Sequence, residues 1–129
     1  MGQLFQQSRH LQNAKAFFMK IIQIWKKFII ENDLMVMADY GQNEIALIYY
    51  EEAEAHLKNI YAWFEAELGG YDNACAECLF AQSLVAYKRG KIGEALDGMR
   101  RALQEYQNNL GTYDRKTREV EDVIQKIEE

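Results

Sequence analysis

The chain has 129 residues, 49% of them hydrophobic, no proline, and a net charge of −5 from 15 Lys and Arg against 20 Asp and Glu. That supplies one core without disulfide support, and the interspersed charges lack the basic stripe of a duplex DNA or RNA binder. No run approaches the roughly 18 apolar residues of a membrane span and no leader-like start is seen, so the expected setting is the cytoplasm, with neither nucleic acid nor membrane as partner.

Without proline, and with only eight glycines, the chain favours long helices over strands and turns. The prediction is an all-α antiparallel helix-hairpin stack of about six helices. The first helix, 4–30, carries Leu11, Ala14, Phe18, Ile22, Trp25 and Ile29 at helical spacing. A second apolar row, Phe17, Ile21, Ile24 and Phe28, runs along an adjacent face. If neighbours cover only the main stripe, this row is a contact surface, most simply for a second copy of the chain.

Asn32 and Asp33 offer side-chain oxygens to cap a second helix, 34–47, and a turn is expected near Ile48. The third helix, 49–68, places Ala53, Leu57, Ile60, Tyr61, Phe64 and Leu68 on one face and stops at Gly69-Gly70. Asp72 caps a fourth, 73–89, ended by Gly90. It is apolar almost all round, from Ala74, Cys75 and Ala76 to Val85, Ala86 and Tyr87, so it must be enclosed on several sides and form the centre of the molecule. The fifth has a regular stripe of Ile92, Ala95, Leu96, Met99, Ala102, Leu103, Tyr106 and Leu110. Asp114 caps the last, whose narrow stripe of Val120, Val123, Ile124 and Ile127 lies among charged residues, as suits the solvated end of a stack.

The chain also repeats itself. Leu68-Gly69-Gly70-Tyr71-Asp72 returns as Leu110-Gly111-Thr112-Tyr113-Asp114, and Glu52-Ala53 as Glu94-Ala95, all at an offset of 42 residues. One shared offset is a register, and a period of this length marks a solenoid or array. The organisation read from it is a single domain, 1–129, made of an orphan helix (1–31), a repeat (33–70), a second repeat (72–111) and a capping helix (113–129).

Leu79, Ser83, Tyr87, Gly90, Ile92, Ala95, Met99, Ala102 and Leu103 resemble the tetratricopeptide repeat (TPR) in its 42-residue variety, found in kinesin light chains. The repeat is divergent: Leu79 stands for the family's tryptophan, Ser83 for its first-helix glycine, and the closing proline is absent. The resemblance implies a module that presents a concave groove to a protein or peptide. Its groove-facing positions would be Met35, Asp39, Gln42, Phe80, Leu84, Tyr87 and Lys88, with Phe80, Leu84 and Tyr87 as apolar anchors. Met35, Asp39, Glu77, Ala81 and Glu119 occupy the places where the family's carboxylate clamp has lysine and asparagine, so a chaperone C-terminal tail is not the implied ligand.

No residue pattern points to chemistry. Cys75-Ala76-Glu77-Cys78 is a lone CxxC without the second pair or nearby histidines of a zinc site, and it reads as two small buried residues at a helix crossing. A di-iron bundle needs Glu-x-x-His twice, but Gln7 precedes His10 and Ala53 precedes His56 at that spacing. Glu52 and His56 read as a solvated helix-face pair. Nucleotide-loop, nucleophile-elbow and metalloprotease motifs are absent. The expectation is therefore a scaffold for protein–protein interaction, with no catalytic residue, metal or cofactor. Two alternatives are a self-assembling subunit that dimerises through the first helix and an enzyme or small-molecule sensor with a pocket beside Tyr87.

Overall fold

The computed structural model describes residues 2–31, 40–70 and 72–129, with side chains from 9–30 and from 48 onward. Five helices account for nearly all of it: α1 (Gly2–Glu31), α2 (Tyr40–Leu68), α3 (Asn73–Lys88), α4 (Ile92–Leu110) and α5 (Arg115–Glu128). No strand occurs among the described residues. The all-α stack is as the sequence implies, with one correction to its count.

The turn expected near Ile48 does not form, because α2 runs unbroken from Tyr40 to Leu68. Among the described residues, each of the three turns between helices carries a glycine at positive φ, Gly69, Gly90 and Gly111. At the equivalent place in the first repeat stands Ile48, whose branched β-carbon resists the left-handed conformation, and no proline interrupts the backbone hydrogen bonds. Two predicted helices therefore fuse into one. The turn expected near Asn32, and positions 34–39 of the predicted second helix, lie outside the described residues.

The 42-residue register is a punctuation cassette. Gly69 N–H donates to Glu65 O at 3.2 Å and Gly111 N–H to Gln107 O at 3.0 Å, closing α2 and α4 in the same way. Three residues beyond each glycine an aspartate opens the next helix: Ala74 N–H donates to Asp72 Oδ1 at 2.8 Å, and Lys116 N–H to Asp114 Oδ1 at 2.9 Å. The side-chain oxygen satisfies a backbone donor that the first turn leaves without an intrahelical partner. The two matching alanines, Ala53 and Ala95, are both fully buried.

At the centre lies α3. From Ala74 to Ala81 every residue is buried, and Ser83, Leu84 and Val85 extend the run. Antiparallel neighbours flank it on two sides. Against α4, Asn109 Nδ2 donates to Asn73 Oδ1 at 3.0 Å near one end, while Gly98 faces Ser83 so closely that a β-carbon at position 98 would collide with Ser83 Oγ. Against α2, Cys78 Sγ–H donates to Leu57 O at 3.2 Å, and Arg89 pairs with Glu54.

Helix α1 lies parallel to α3, joined by Lys15 to Asp72 at 3.2 Å and by Gln23 and Lys26 to Glu77. Of its main stripe, Ile22 and Ile29 are fully enclosed, and Leu11, Ala14, Phe18 and Trp25 are half-buried. Against α2 it makes an aromatic ladder: Phe18 with Trp63 at 5.0 Å, Trp25 with His56 at 5.8 Å, and Phe28 with Tyr49 at 5.4 Å between ring centroids. Edge-to-face and tilted pairs of this kind add to area burial. Helix α5 closes the other side on Val120 and Ile124, and Thr117 Oγ1–H donates to Gly111 O at 2.8 Å.

Candidate functional site

Two features stand out once the helices are assembled: a buried knot of polar groups on α3, and an open groove beside it. The knot centres on Glu77, 2% exposed in the middle of the apolar run. One carboxylate oxygen, Oε1, accepts from Gln23 Nε2 at 2.9 Å and Lys26 Nζ at 3.1 Å, while Oε2 accepts from Tyr106 Oη–H at 2.6 Å. Lys26 also pairs with Glu119 of α5 at 2.8 Å, and its ammonium stands 4.8 Å from the centre of the Phe80 ring. One carboxylate thus ties α1 and α4 to α3, and the lysine brings in α5.

Burial alone would push the Glu77 carboxyl up. The Tyr106 hydroxyl, the Lys26 charge and the Gln23 amide outweigh it and hold the group below the ordinary carboxylate range. Burial alone would lower Lys26, but its hydrogen bond to Glu119 and the charges of Glu77 and Glu119 raise it above 10.5. Burial and the adjacent Glu77 carboxylate raise the Tyr106 hydroxyl as well. The ionised pair is therefore the form that persists at neutral pH, fully hydrogen-bonded, with no group poised to exchange a proton near pH 7.

These directions fix a pH response. Glu77, with its folded value depressed, contributes stability that is complete above the ordinary carboxylate range and lost as pH falls below about 4.5. Lys26 and Tyr106, both raised, contribute stability that is complete below about pH 10 and lost as pH rises beyond it. Thermal melts across pH are expected to show a plateau bounded by those limbs. The Glu77→Gln variant should show a shallower acid limb, and an unchanged one would mean that other carboxylates govern acid unfolding.

The groove lies between α2, α3 and α4. It encloses about 430 Å³ and is lined by Glu54, Lys58, Leu79, Gln82, Ser83, Ala86, Glu94, Asp97, Gly98 and Arg101. Its floor is small because Ser83, Ala86 and Gly98 meet where α3 and α4 approach closely, and its rim is charged with both signs. Arg101 Nη2 of α4 donates to Tyr61 Oη of α2 at 3.5 Å, and Arg89, at the end of α3, pairs with Glu54 of α2.

The predicted groove residues fare differently. Phe80 and Leu84 are 2% and 7% exposed, and α1, absent from a simple hairpin, supplies Lys26 over Phe80. Neither can serve as a surface anchor in this fold. Tyr87 and Lys88 are half-buried near the C-terminal end of α3. Met35 and Asp39 lie outside the described residues, and Gln42 sits in α2 with its side chain outside them. In the second row of α1, Phe17 and Ile24 are 60% and 69% exposed, while Ile21 and Phe28 are partly buried against the core.

Reasoning from sequence missed the Glu77 knot, although one signal was present. An acid interrupts an otherwise apolar run, and a lysine sits between Ile22 and Ile29 on the buried stripe of α1. Glu52 and His56 are both exposed on α2, and Trp25 Nε1–H donates to His56 Nδ1 at 3.3 Å.

The two cysteines are buried free thiols. Burial, then the nearby Asp72 charge, pushes Cys75 up to about 11, and burial pushes Cys78 up to about 12. Both stay protonated at neutral pH, so neither is an activated thiolate nucleophile. Among the described residues no three His, Cys, Asp or Glu side chains converge on one point, and no helix is long and apolar enough to cross a membrane. No protein-family model matches the chain, and neither the curated proteins nor the solved structures provide a match.

Proposed function

We propose that this chain is a non-enzymatic, TPR-like helical module that binds a protein or peptide partner, with the α2–α3–α4 groove as its principal contact surface. The observation that carries the reading is the groove itself, an open channel of about 430 Å³ with a small-residue floor and a charged rim. A floor of Ser83, Ala86 and Gly98 lets a partner's backbone or apolar side chains come close, while Glu54, Glu94, Asp97, Lys58 and Arg101 fix their orientation. Support also comes from the α3–α4 hairpin and the recurring Gly-x-x-Asp cassette, which give the turn geometry of a helical array. A cytoplasmic setting belongs to the same proposal, in keeping with two free thiols.

A photo-cross-linking residue in place of Gln82 tests it in the native cell extract. A discrete partner should be captured from that position, lost in the Ala86→Arg variant that fills the floor, and absent when the cross-linker replaces the exposed Lys126 on α5. Equal capture from both positions, or capture that survives Ala86→Arg, would remove the groove from consideration.

The exposure of Phe17 and Ile24 favours a second reading, in which the chain is a structural subunit that assembles through α1. Light scattering at rising concentration would support it by a mass of twice 15.1 kDa.

A further inference from the structure

The charged side chains on the rim of the α2–α3–α4 groove are sorted along its length. Helices α2 and α4 both run antiparallel to α3, so residue numbers rise in the same direction on the two banks. Two contacts fix the levels. Arg89, just before α4 begins, pairs with Glu54, and seven residues up from Glu54 and from Glu94, Tyr61 meets Arg101. Seven helical residues rise about 10 Å. Glu94 and Asp97 therefore stand at one end of the α4 bank and Arg101 at the other, with Lys58 one turn up from Glu54 on the α2 bank.

These groups differ in whether their charge is already met. Glu54 is matched by Arg89. Glu94, Asp97 and Lys58 are exposed and have no ion-pair partner among the described residues. Arg101, also exposed, spends one N–H on the Tyr61 hydroxyl and keeps others of its guanidinium donors for a ligand. An acidic end and a cationic end are thus left open about 10 Å apart along the channel.

That arrangement selects the ligand. A uniformly basic segment would be repelled at Lys58 and Arg101, and a uniformly acidic one, nucleic-acid phosphates included, at Glu94 and Asp97. A segment with both signs is held at both ends. Its backbone form follows from size. A helix about 10 Å wide and about 10 Å long occupies on the order of 800 Å³, well above the groove's volume of about 430 Å³. An extended chain covers about 10 Å in three residues. We infer, resting on the reading of this groove as the partner surface, that it takes an extended peptide in which an arginine or lysine and a glutamate or aspartate stand three residues apart. The base pairs with Glu94 and Asp97, the acid pairs with Arg101 and Lys58, and the residues between them lie over the floor.

The test selects random phage-displayed dodecapeptides on the full chain and counter-selects them on Ala86→Arg, which fills the floor. The retained peptides should share a base and an acid three residues apart. For one of them, synthesised with a fluorophore, anisotropy should show binding at least about ten-fold weaker when the acid is moved next to the base or replaced by glutamine, and weaker binding as salt rises. Arg101→Glu, at an exposed position where helical circular dichroism should be kept, should reverse the choice at that end, so that the peptide with arginine in place of its acid binds more tightly than the parent. Retained peptides without the charged pair, or affinity indifferent to its spacing or to Arg101→Glu, would overturn the inference and leave the groove as a partner surface. No enriched peptide, or only peptides that bind Ala86→Arg as well as wild type, would overturn the groove reading and this inference with it.

Discussion

Replacing Glu77 by alanine is expected to destabilise the fold by about 3–5 kcal/mol, the usual result of removing one partner from a buried ion pair. The carboxylate accepts hydrogen bonds from Gln23, Lys26 and Tyr106. Without it, the Lys26 ammonium keeps the half-exposed Glu119 as its acidic partner, and the buried Tyr106 hydroxyl loses its acceptor. Each uncompensated group carries its own desolvation cost. The triple variant Glu77→Leu, Lys26→Met, Tyr106→Phe should recover most of the loss, because apolar groups of similar volume need no partners. Urea unfolding of wild type, single and triple variants measures this directly. A single variant within about 0.5 kcal/mol of wild type would show that the knot does not tie the helices together.

The second large effect is expected from Ala95→Leu, a loss of about 1–3 kcal/mol through overpacking. Ala95 is fully buried on the face of α4 that carries Gly98, Met99 and Ala102. One turn further on, a β-carbon at Gly98 would collide with Ser83 Oγ, so this face of α4 lies close against α3 where three extra carbons would have to fit. A thermal midpoint unchanged within error would show that the crossing relaxes and that Ala95 is not its packing residue.

Ala95 also shows what the sequence makes legible. A small residue at the register position of Ala53, on a regular apolar stripe, identifies a helix crossing without any coordinates, and both alanines are fully buried. The same holds for α3, whose unbroken apolar run demands enclosure, and for the Gly and Asp cassettes, where local backbone chemistry decides the outcome. Ile48 was misread for the converse reason: the repeat register argued for a turn, but the local residue could not make one, and local chemistry won.

The candidate site was harder to see because it is assembled from distant segments. Glu77 draws its partners from α1 and α4, and no spacing within one helix announces them. Phe80 and Leu84 fall on the groove side in a simple helix-pair projection, but α1 packs across α3 and encloses Phe80 under Lys26. The groove that results is displaced to the α2–α4 side, where its floor residues, Ser83, Ala86 and Gly98, are too small to announce themselves as anchors.

The claim that the groove holds a protein partner is tested most directly by carboxyl footprinting. The rim acids Glu54, Glu94 and Asp97 would be labelled with a carbodiimide and an amine, with and without the partner cross-linked from position 82. The account predicts that these three become protected in the complex while the acids of α5, Asp122 and Glu128 among them, keep their labelling. Unchanged labelling at the rim, or protection confined to α5, would contradict it.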